Sequence, residues 1–151
     1  MAITMWTHGH SVQPENPSLA IIERYGWGAT VDTNYGFHVG SVIFQDHWLD
    51  FAIPTPTFQP GPQKITAVHL DFVTDSAQSY VSAVNVWDGM IRIGAFEPLA
   101  LTGMNPMATF SIPGTPVVTR GVGVSVKIAI LPDLPPGVRK IHFRGVGADF
   151  A

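Results

Sequence analysis

The chain of 151 residues is 46% hydrophobic but only 13% charged, about half the charged share of an ordinary soluble domain. Its 8 Lys and Arg residues against 11 Asp and Glu residues give a formal net charge of -3, which argues against nucleic acid as a partner. The absence of cysteine excludes disulfides, thiolate metal sites and thiol catalysis. So few charges cannot cover a globule of this size, and exposed apolar area is typical of a binding or assembly surface.

The length fits a single domain over residues 1–151, large enough to bury a full core. No apolar run approaches the roughly 20 residues of a membrane span, and the N-terminus lacks the charged and apolar regions of a signal peptide. We therefore expect a cytoplasmic protein without a membrane span, while release from the cell stays open.

Short segments of alternating apolar and polar residues fill the chain, and 15 glycines and 13 prolines separate them. Alternation with period two indicates strands, and no segment keeps a helical period over even about ten residues. The predicted strands span residues 3–8, 19–25, 29–33, 39–44, 48–53, 65–72, 80–87, 90–96, 108–112, 122–130 and 140–146. Such short, closely spaced strands predict an all-β fold, a jelly-roll-like antiparallel β-sandwich with little or no helix.

The alternation also predicts which side chains form the core, and it selects Leu70, Phe72, Val84, Val86, Val122, Val124, Val126 and Ile128. Between two of the strands, Asp88 and Gly89 predict a tight hairpin turn, because these residue types accept positive φ angles. The proline-rich segment 54–62 is predicted to be a stiff connection within the domain, since strands of the same character flank it.

Several blocks, in order along most of the chain, are Met5-Trp6-Thr7-His8-Gly9, Ser11-Val12-Gln13, Glu15-Asn16-Pro17, Arg24-Tyr25-Gly26-Trp27-Gly28, Phe51-Ala52-Ile53-Pro54-Thr55-Pro56, Val84-Asn85-Val86-Trp87-Asp88-Gly89, Gly121-Val122-Gly123-Val124-Ser125-Val126 and Gly147-Ala148-Asp149-Phe150. Together they resemble a small bacterial family of unknown function that occurs in actinobacterial and similar genomes. The resemblance implies one compact β domain, and it brings no activity or catalytic residue with it.

One motif suggests metal chemistry. Two histidines at i and i+2 on a strand point to the same face, so His8 and His10 could bind one divalent ion, with Glu15 as a third ligand. The spacing resembles the first metal motif of the cupins. However, no strand precedes it, the second cupin motif has no clear match, and Pro14 makes the following segment a turn. We therefore favour a strand end followed by a polar turn, and keep the metal site as the alternative.

The aromatic residues suggest a different kind of site. Tyr25, Trp27 and Tyr35 lie beside glycines and polar residues such as Asn34, and Trp87 precedes Asp88 at the predicted hairpin. Carbohydrate-binding β-sandwiches stack such rings on a sugar face while Asn and Asp bond its hydroxyls. These residues, Tyr25, Trp27, Asn34, Tyr35, Trp87 and Asp88, form the candidate ligand-binding set. The alternative is that the rings cap the sandwich or lie in a subunit interface.

The chain contains no recognisable triad, catalytic carboxylate pair or thiol, so we favour a binding or assembly protein over an enzyme. The leading interpretation is a self-assembling or lectin-like β-sandwich, without a cofactor, that forms a homo-oligomer and binds a glycan or another small molecule. The alternative is a cupin-like metal-dependent enzyme that uses His8, His10 and Glu15.

Overall fold

The computed structural model describes residues 2–33, 45–56, 61–131 and 135–151. Within them the strands are β1 Ile3–His8, β2 Gln13–Pro14, β3 Ala20–Tyr25, β4 Gly28–Thr33, β5 Gln45–Ile53, β6 Ile65–Thr74, β7 Ser79–Asp88, β8 Ile91–Phe96, β9 Met104–Ser111, β10 Val122–Ile130 and β11 Ile141–Phe150. The helical content of these ranges is limited to two short 3-10 turns, Gly9–Ser11 and Pro136–Val138, so no helix there could span a membrane. The predicted strand 39–44 lies outside the described residues.

The strands form two antiparallel sheets. Sheet A has the order β3-β4-β11-β6-β9, with β1 also paired to β11, and sheet B has the order β2-β5-β10-β7-β8. Apart from the hairpins β3–β4 and β7–β8, each next strand of the described chain lies in the other sheet. The prediction of an all-β, jelly-roll-like antiparallel sandwich is confirmed.

The core lies between the two sheets, as the alternation predicts. All eight predicted core residues are buried, including the β10 row of Val122, Val124, Val126 and Ile128. Phenylalanine rings from both sheets meet at its centre, where Phe143 lies 5.5 Å from Phe51 and 5.9 Å from Phe72 between ring centroids. Side chains that alternate with these residues necessarily point to the outer faces.

The β7–β8 hairpin forms where the sequence predicts it, but its turn is shifted by one residue. Asp88 is still paired to Ile91, so the two turn residues are Gly89 and Met90. Gly89 has φ +60° and supplies the left-handed conformation that the turn requires. Asp88 is therefore the last strand residue, and this position decides its role.

Strands β4 and β1 lie end to end along the same edge of β11. Strand β4 pairs with residues 141–143 and β1 with residues 145–150. The junction is crowded: a Cβ atom on Gly9 or on Gly28 would collide with the carbonyl oxygen of Phe143. Two glycines thus allow both strands to approach β11, so the outer face of sheet A continues from β1 to β3.

Candidate functional site

A groove of about 620 Å³ crosses the outer face of sheet B. Its floor contains Gly123 and Ala52, which are opposite each other on β10 and β5. Trp87, opposite Gly123 on the other side, forms one wall, and Thr7, Ser11 and Gln13 line the other. A Cβ atom on Gly123 would make only one contact, an ordinary one at 3.9 Å with Trp87 Cβ. Glycine at position 123 therefore keeps the groove open, although the fold has room for a Cβ atom there.

A row of polar side chains runs across the sheet beside this floor. Asn85, Ser125, Asp50 and Gln13 occupy opposing positions on β7, β10, β5 and β2. The Ser125 hydroxyl donates to Asp50 Oδ1 at 2.7 Å. Asn85 is only 7% exposed, and its Oδ1 atom accepts no hydrogen bond from the described residues. The row offers carboxylate, amide and hydroxyl groups in one line.

A second tryptophan lies on the other side of the polar row. Trp48 is opposite Lys127, whose Nζ atom lies 5.8 Å from the centroid of the Trp48 ring. Lys127 follows Gly123, the partner of Trp87, by four residues on β10, which corresponds to about 13 Å along the strand. The outer face of sheet B thus carries an aromatic ring on each side of a line of hydrogen-bonding groups.

Asp88 follows Trp87 but supports the fold instead of facing the groove. Its buried carboxylate accepts hydrogen bonds from Thr119 N and Oγ1, at 2.9 and 2.8 Å, from Arg120 N at 2.7 Å and from Gly121 N at 3.1 Å. Burial raises the pKa of Asp88, but these hydrogen bonds outweigh it and hold the pKa below its ordinary value. The carboxylate fixes the segment 119–121 beside the hairpin.

Tyr25 and Trp27 lie on the opposite side of the molecule, on the outer face of sheet A. Their rings stack with centroids 5.2 Å apart and an angle of 7°, and Trp27 also lies 5.9 Å from His142. The Tyr25 hydroxyl donates to Glu23 at 2.8 Å. This hydrogen bond raises the pKa of Tyr25 and, together with Lys140, lowers the pKa of Glu23. The candidate ligand-binding set is thus divided between two faces, while Asn34 and Tyr35 lie outside the described residues.

The residues of the metal alternative are not assembled into one site. His8 and His10 contact each other, with their Nδ1 atoms 2.9 Å apart. Glu15 instead lines a separate groove of about 390 Å³ together with His47 and Trp48. Across the part of the chain that the structure describes, no group of three or more His, Cys, Asp or Glu side chains could hold a metal ion.

Sequence reasoning missed most of the polar row. The alternation of β7 places Asn85 on the same face as Trp87, and this signal could have added Asn85 to the candidate set. The alignment of Ser125, Asp50 and Gln13 with Asn85 depends on the register of four strands that are distant in sequence. That register is not readable from local pattern.

The profile described as a family of unknown function, DUF6623, matches residues 1–151, in agreement with the resemblance expected from the sequence. No curated protein sequence matches the chain. Among solved structures, the low-affinity xylan binding module CBM86 from Roseburia intestinalis has a TM-score of 0.55 at 13% identity, over 99% of this chain and 96% of that one. This likeness shows a shared β-sandwich fold.

Two further structures match with lower TM-scores. The C-terminal CBM6 of LamC, a marine laminarinase from Zobellia galactanivorans, has a TM-score of 0.45 at 11% identity, over 98% of this chain and 99% of that one. A Stig cyclase from Fischerella sp. TAU has a TM-score of 0.45 at 13% identity, over 100% of this chain and 76% of that one.

Proposed function

We propose that this chain, which belongs to the DUF6623 family of unknown function, binds carbohydrate in the groove of sheet B. The observation that carries the proposal is the position of Trp87 at the wall of an open groove, beside the polar row of Asn85, Ser125 and Asp50. A sugar ring has an apolar C–H face and a rim of hydroxyls, so it needs both kinds of contact at once.

Each group of the site has a defined task in this proposal. Trp87 supplies the stacking surface, and the bare backbone at Gly123 leaves space for the ring that lies against it. The Asp50 carboxylate accepts hydrogen bonds from sugar hydroxyls, which charge makes stronger than neutral ones. Asn85 extends the polar row beside Ser125, but its Oδ1 atom is buried, so the contacts with a sugar are assigned to Ser125, Asp50 and Gln13, which line the groove.

The fold supports carbohydrate as the ligand class. The chain shares its sandwich with a solved xylan binding module over nearly the full length of both. At 13% identity the likeness concerns the fold, so the side chains of the groove have to be tested directly.

A glycan array followed by calorimetric titration tests the proposal. We expect the protein to bind at least one polysaccharide and Trp87→Ala to weaken that binding at least tenfold, because the stacking surface is removed. Gly123→Val should block the groove. Its Cβ atom meets only an ordinary contact, and urea unfolding of the variant checks that the two γ-methyl groups are tolerated. Val138→Ala, at an exposed residue of the 3-10 turn Pro136–Val138 that lines neither described groove, is the control. Unchanged binding in both groove variants would refute the proposed site.

Self-association is a second candidate function, favoured by the exposed apolar side chains of two strands. Within the described residues, β8 and β9 each end the order of their sheet. Ile91 on β8 and Met104 and Met107 on β9 are exposed. Strand β8 carries one charged residue, Arg92, and β9 carries none and one proline, Pro106. Edge strands with so few charged residues favour pairing with another chain. We propose a homo-oligomer formed through this side of the sandwich.

A further inference from the structure

Trp6 lies flat on the outer face of sheet A because the residue beneath it is a glycine. Trp6 is opposite Gly147 on β11, and a Cβ atom there would lie 2.7 Å from Trp6 Cδ2 and 2.8 Å from Cε2. The ring also stacks on His69, at 5.8 Å between centroids and an angle of 24°. Trp6 remains 40% exposed, so one ring face is packed against the sheet while the other faces solvent.

The groups around Trp6 are fixed by hydrogen bonds within the protein. His69 is bonded through both ring nitrogens, with Nε2 3.0 Å from Asp149 Oδ2 and Nδ1 3.0 Å from Thr109 Oγ1. The Thr4 hydroxyl donates to Asp149 Oδ1 at 2.6 Å. The surroundings of the ring are thus hydroxyl and carboxylate groups held in place, which lowers the entropy cost of binding a ligand.

The same face carries the stacked rings of Tyr25 and Trp27. Trp27 lies beside His142, five residues before Gly147 on β11, so Trp6 and Trp27 are about 16 Å apart along this strand. All three aromatic side chains are at least 40% exposed. An extended chain of sugar rings can contact aromatic surfaces at both ends of such a face.

Acidic and basic side chains lie side by side on this face. Carboxylates lie beside basic side chains in four pairs, namely Glu23 with Lys140, Asp71 with Arg144, Asp75 with His142 and Asp149 with His69. The four carboxylates outnumber the two permanently cationic side chains, Lys140 and Arg144, so this face offers hydrogen-bonding oxygens and nitrogens with a small excess of negative charge. It fits a neutral, hydroxyl-rich ligand better than an anionic one.

We infer that the outer face of sheet A is a second glycan-binding site, in which Trp6 is the stacking platform for a neutral linear polysaccharide. This inference rests on the proposed function of the protein as a carbohydrate binder, and it adds a site with different residues. The two sites lie on opposite faces of the sandwich, so one molecule can bridge two polysaccharide chains. Bridging raises the apparent affinity for a polymer without a new contact.

Calorimetric titration with xylohexaose and with cellohexaose measures the number of sites. We expect two hexasaccharides per wild-type chain, one for Trp6→Leu, one for Trp87→Ala and none for the double variant. Leucine keeps an apolar cover on Gly147 and His69 but lacks a flat ring, so the fold is retained while stacking is lost. Urea unfolding of each variant and the Val138→Ala protein provide the controls.

The outcomes separate this inference from the proposed function. A wild-type stoichiometry of one that Trp6→Leu leaves unchanged and Trp87→Ala abolishes overturns the second site and keeps the groove. The reverse pattern refutes the groove and supports the platform. A protein that binds neither probe contradicts both. If Trp6→Leu instead converts a dimer to a monomer in light scattering, a second copy of the chain occupies this face and the inference is wrong.

Discussion

The carboxylate of Asp88 illustrates how burial decides what a side chain does. Its residue type and its position next to Trp87 suit a sugar-binding role, yet its hydrogen bonds go to residues 119–121. The lowered pKa means that folding favours the ionised form. Its contribution to stability is therefore complete above the ordinary value of 3.8, and it is lost as the pH falls through the lower folded pKa.

Replacing Asp88 with Asn should lower the free energy of unfolding at pH 7 by about 2 kcal/mol, because an amide nitrogen would face backbone donors in a buried site. The difference from the wild type should shrink towards pH 2, where Asp88 itself is protonated. Urea unfolding at several pH values checks both points, with the exposed Glu15→Gln as the control. An unchanged stability at pH 7 would contradict the structural role of Asp88.

At the scale of the elements, strand β11 organises sheet A through its glycines. It pairs with β6 on one side and with β4 and β1 on the other. Gly147 lies under the Trp6 ring, so the side chain that β11 lacks is what allows β1 to lie flat beside it. Gly123, in the middle of sheet B, faces an open groove instead.

The two glycines should respond differently to alanine. Gly147→Ala places a Cβ atom 2.7–2.9 Å from the Trp6 ring, and we expect the displaced ring to reduce stability by about 1–3 kcal/mol. Gly123→Ala meets only an ordinary contact, so it should be neutral or stabilising by up to about 1 kcal/mol, since alanine loses less backbone entropy in a strand. Equal effects of the two substitutions in urea unfolding would show that Trp6 is not held in this way.

At the scale of the whole molecule, the low content of charged residues leaves apolar side chains exposed on the surface. Met104 is 71% exposed on β9, and Met107 and Ile91 are also exposed near the same side of the sandwich. Burying apolar surface between subunits contributes roughly 25 cal/mol per Å². The side formed by β8 and β9 is therefore where we expect copies of the chain to meet.

Light scattering after size exclusion measures this association. We expect a homo-oligomer, and the double variant Met104→Lys and Met107→Lys should shift the mass towards the 16.3 kDa monomer by placing like charges at the contact. A wild-type protein that stays at 16.3 kDa at high micromolar concentration would contradict self-association. Glycan binding at the two faces should be unaffected, because the two substitutions change no residue of the groove and leave Trp6 in place.

The strands and the core were predictable from the sequence because the inward and outward directions of a strand follow from its geometry alone. This geometry assigned Val84, Val86 and the alternating apolar residues from Val122 to Ile128 to the core. Gly89 indicated the position of the hairpin. Strand β11 continues beyond the predicted segment to Phe150, since its glycines interrupt the apolar pattern without interrupting the pairing.

The sequence by itself determined the fold class, the inward-facing residues and the shortage of surface charge, because each depends on composition or on local periodicity. Only the tertiary structure decided which outward residues meet. Asn85, Ser125 and Asp50 come from three strands aligned by long-range register, and Trp6 contacts a glycine 141 residues later. The division of the strands into two sheets also separated Tyr25 and Trp27 from Trp87, since the outer faces of sheet A and sheet B lie on opposite sides of the sandwich.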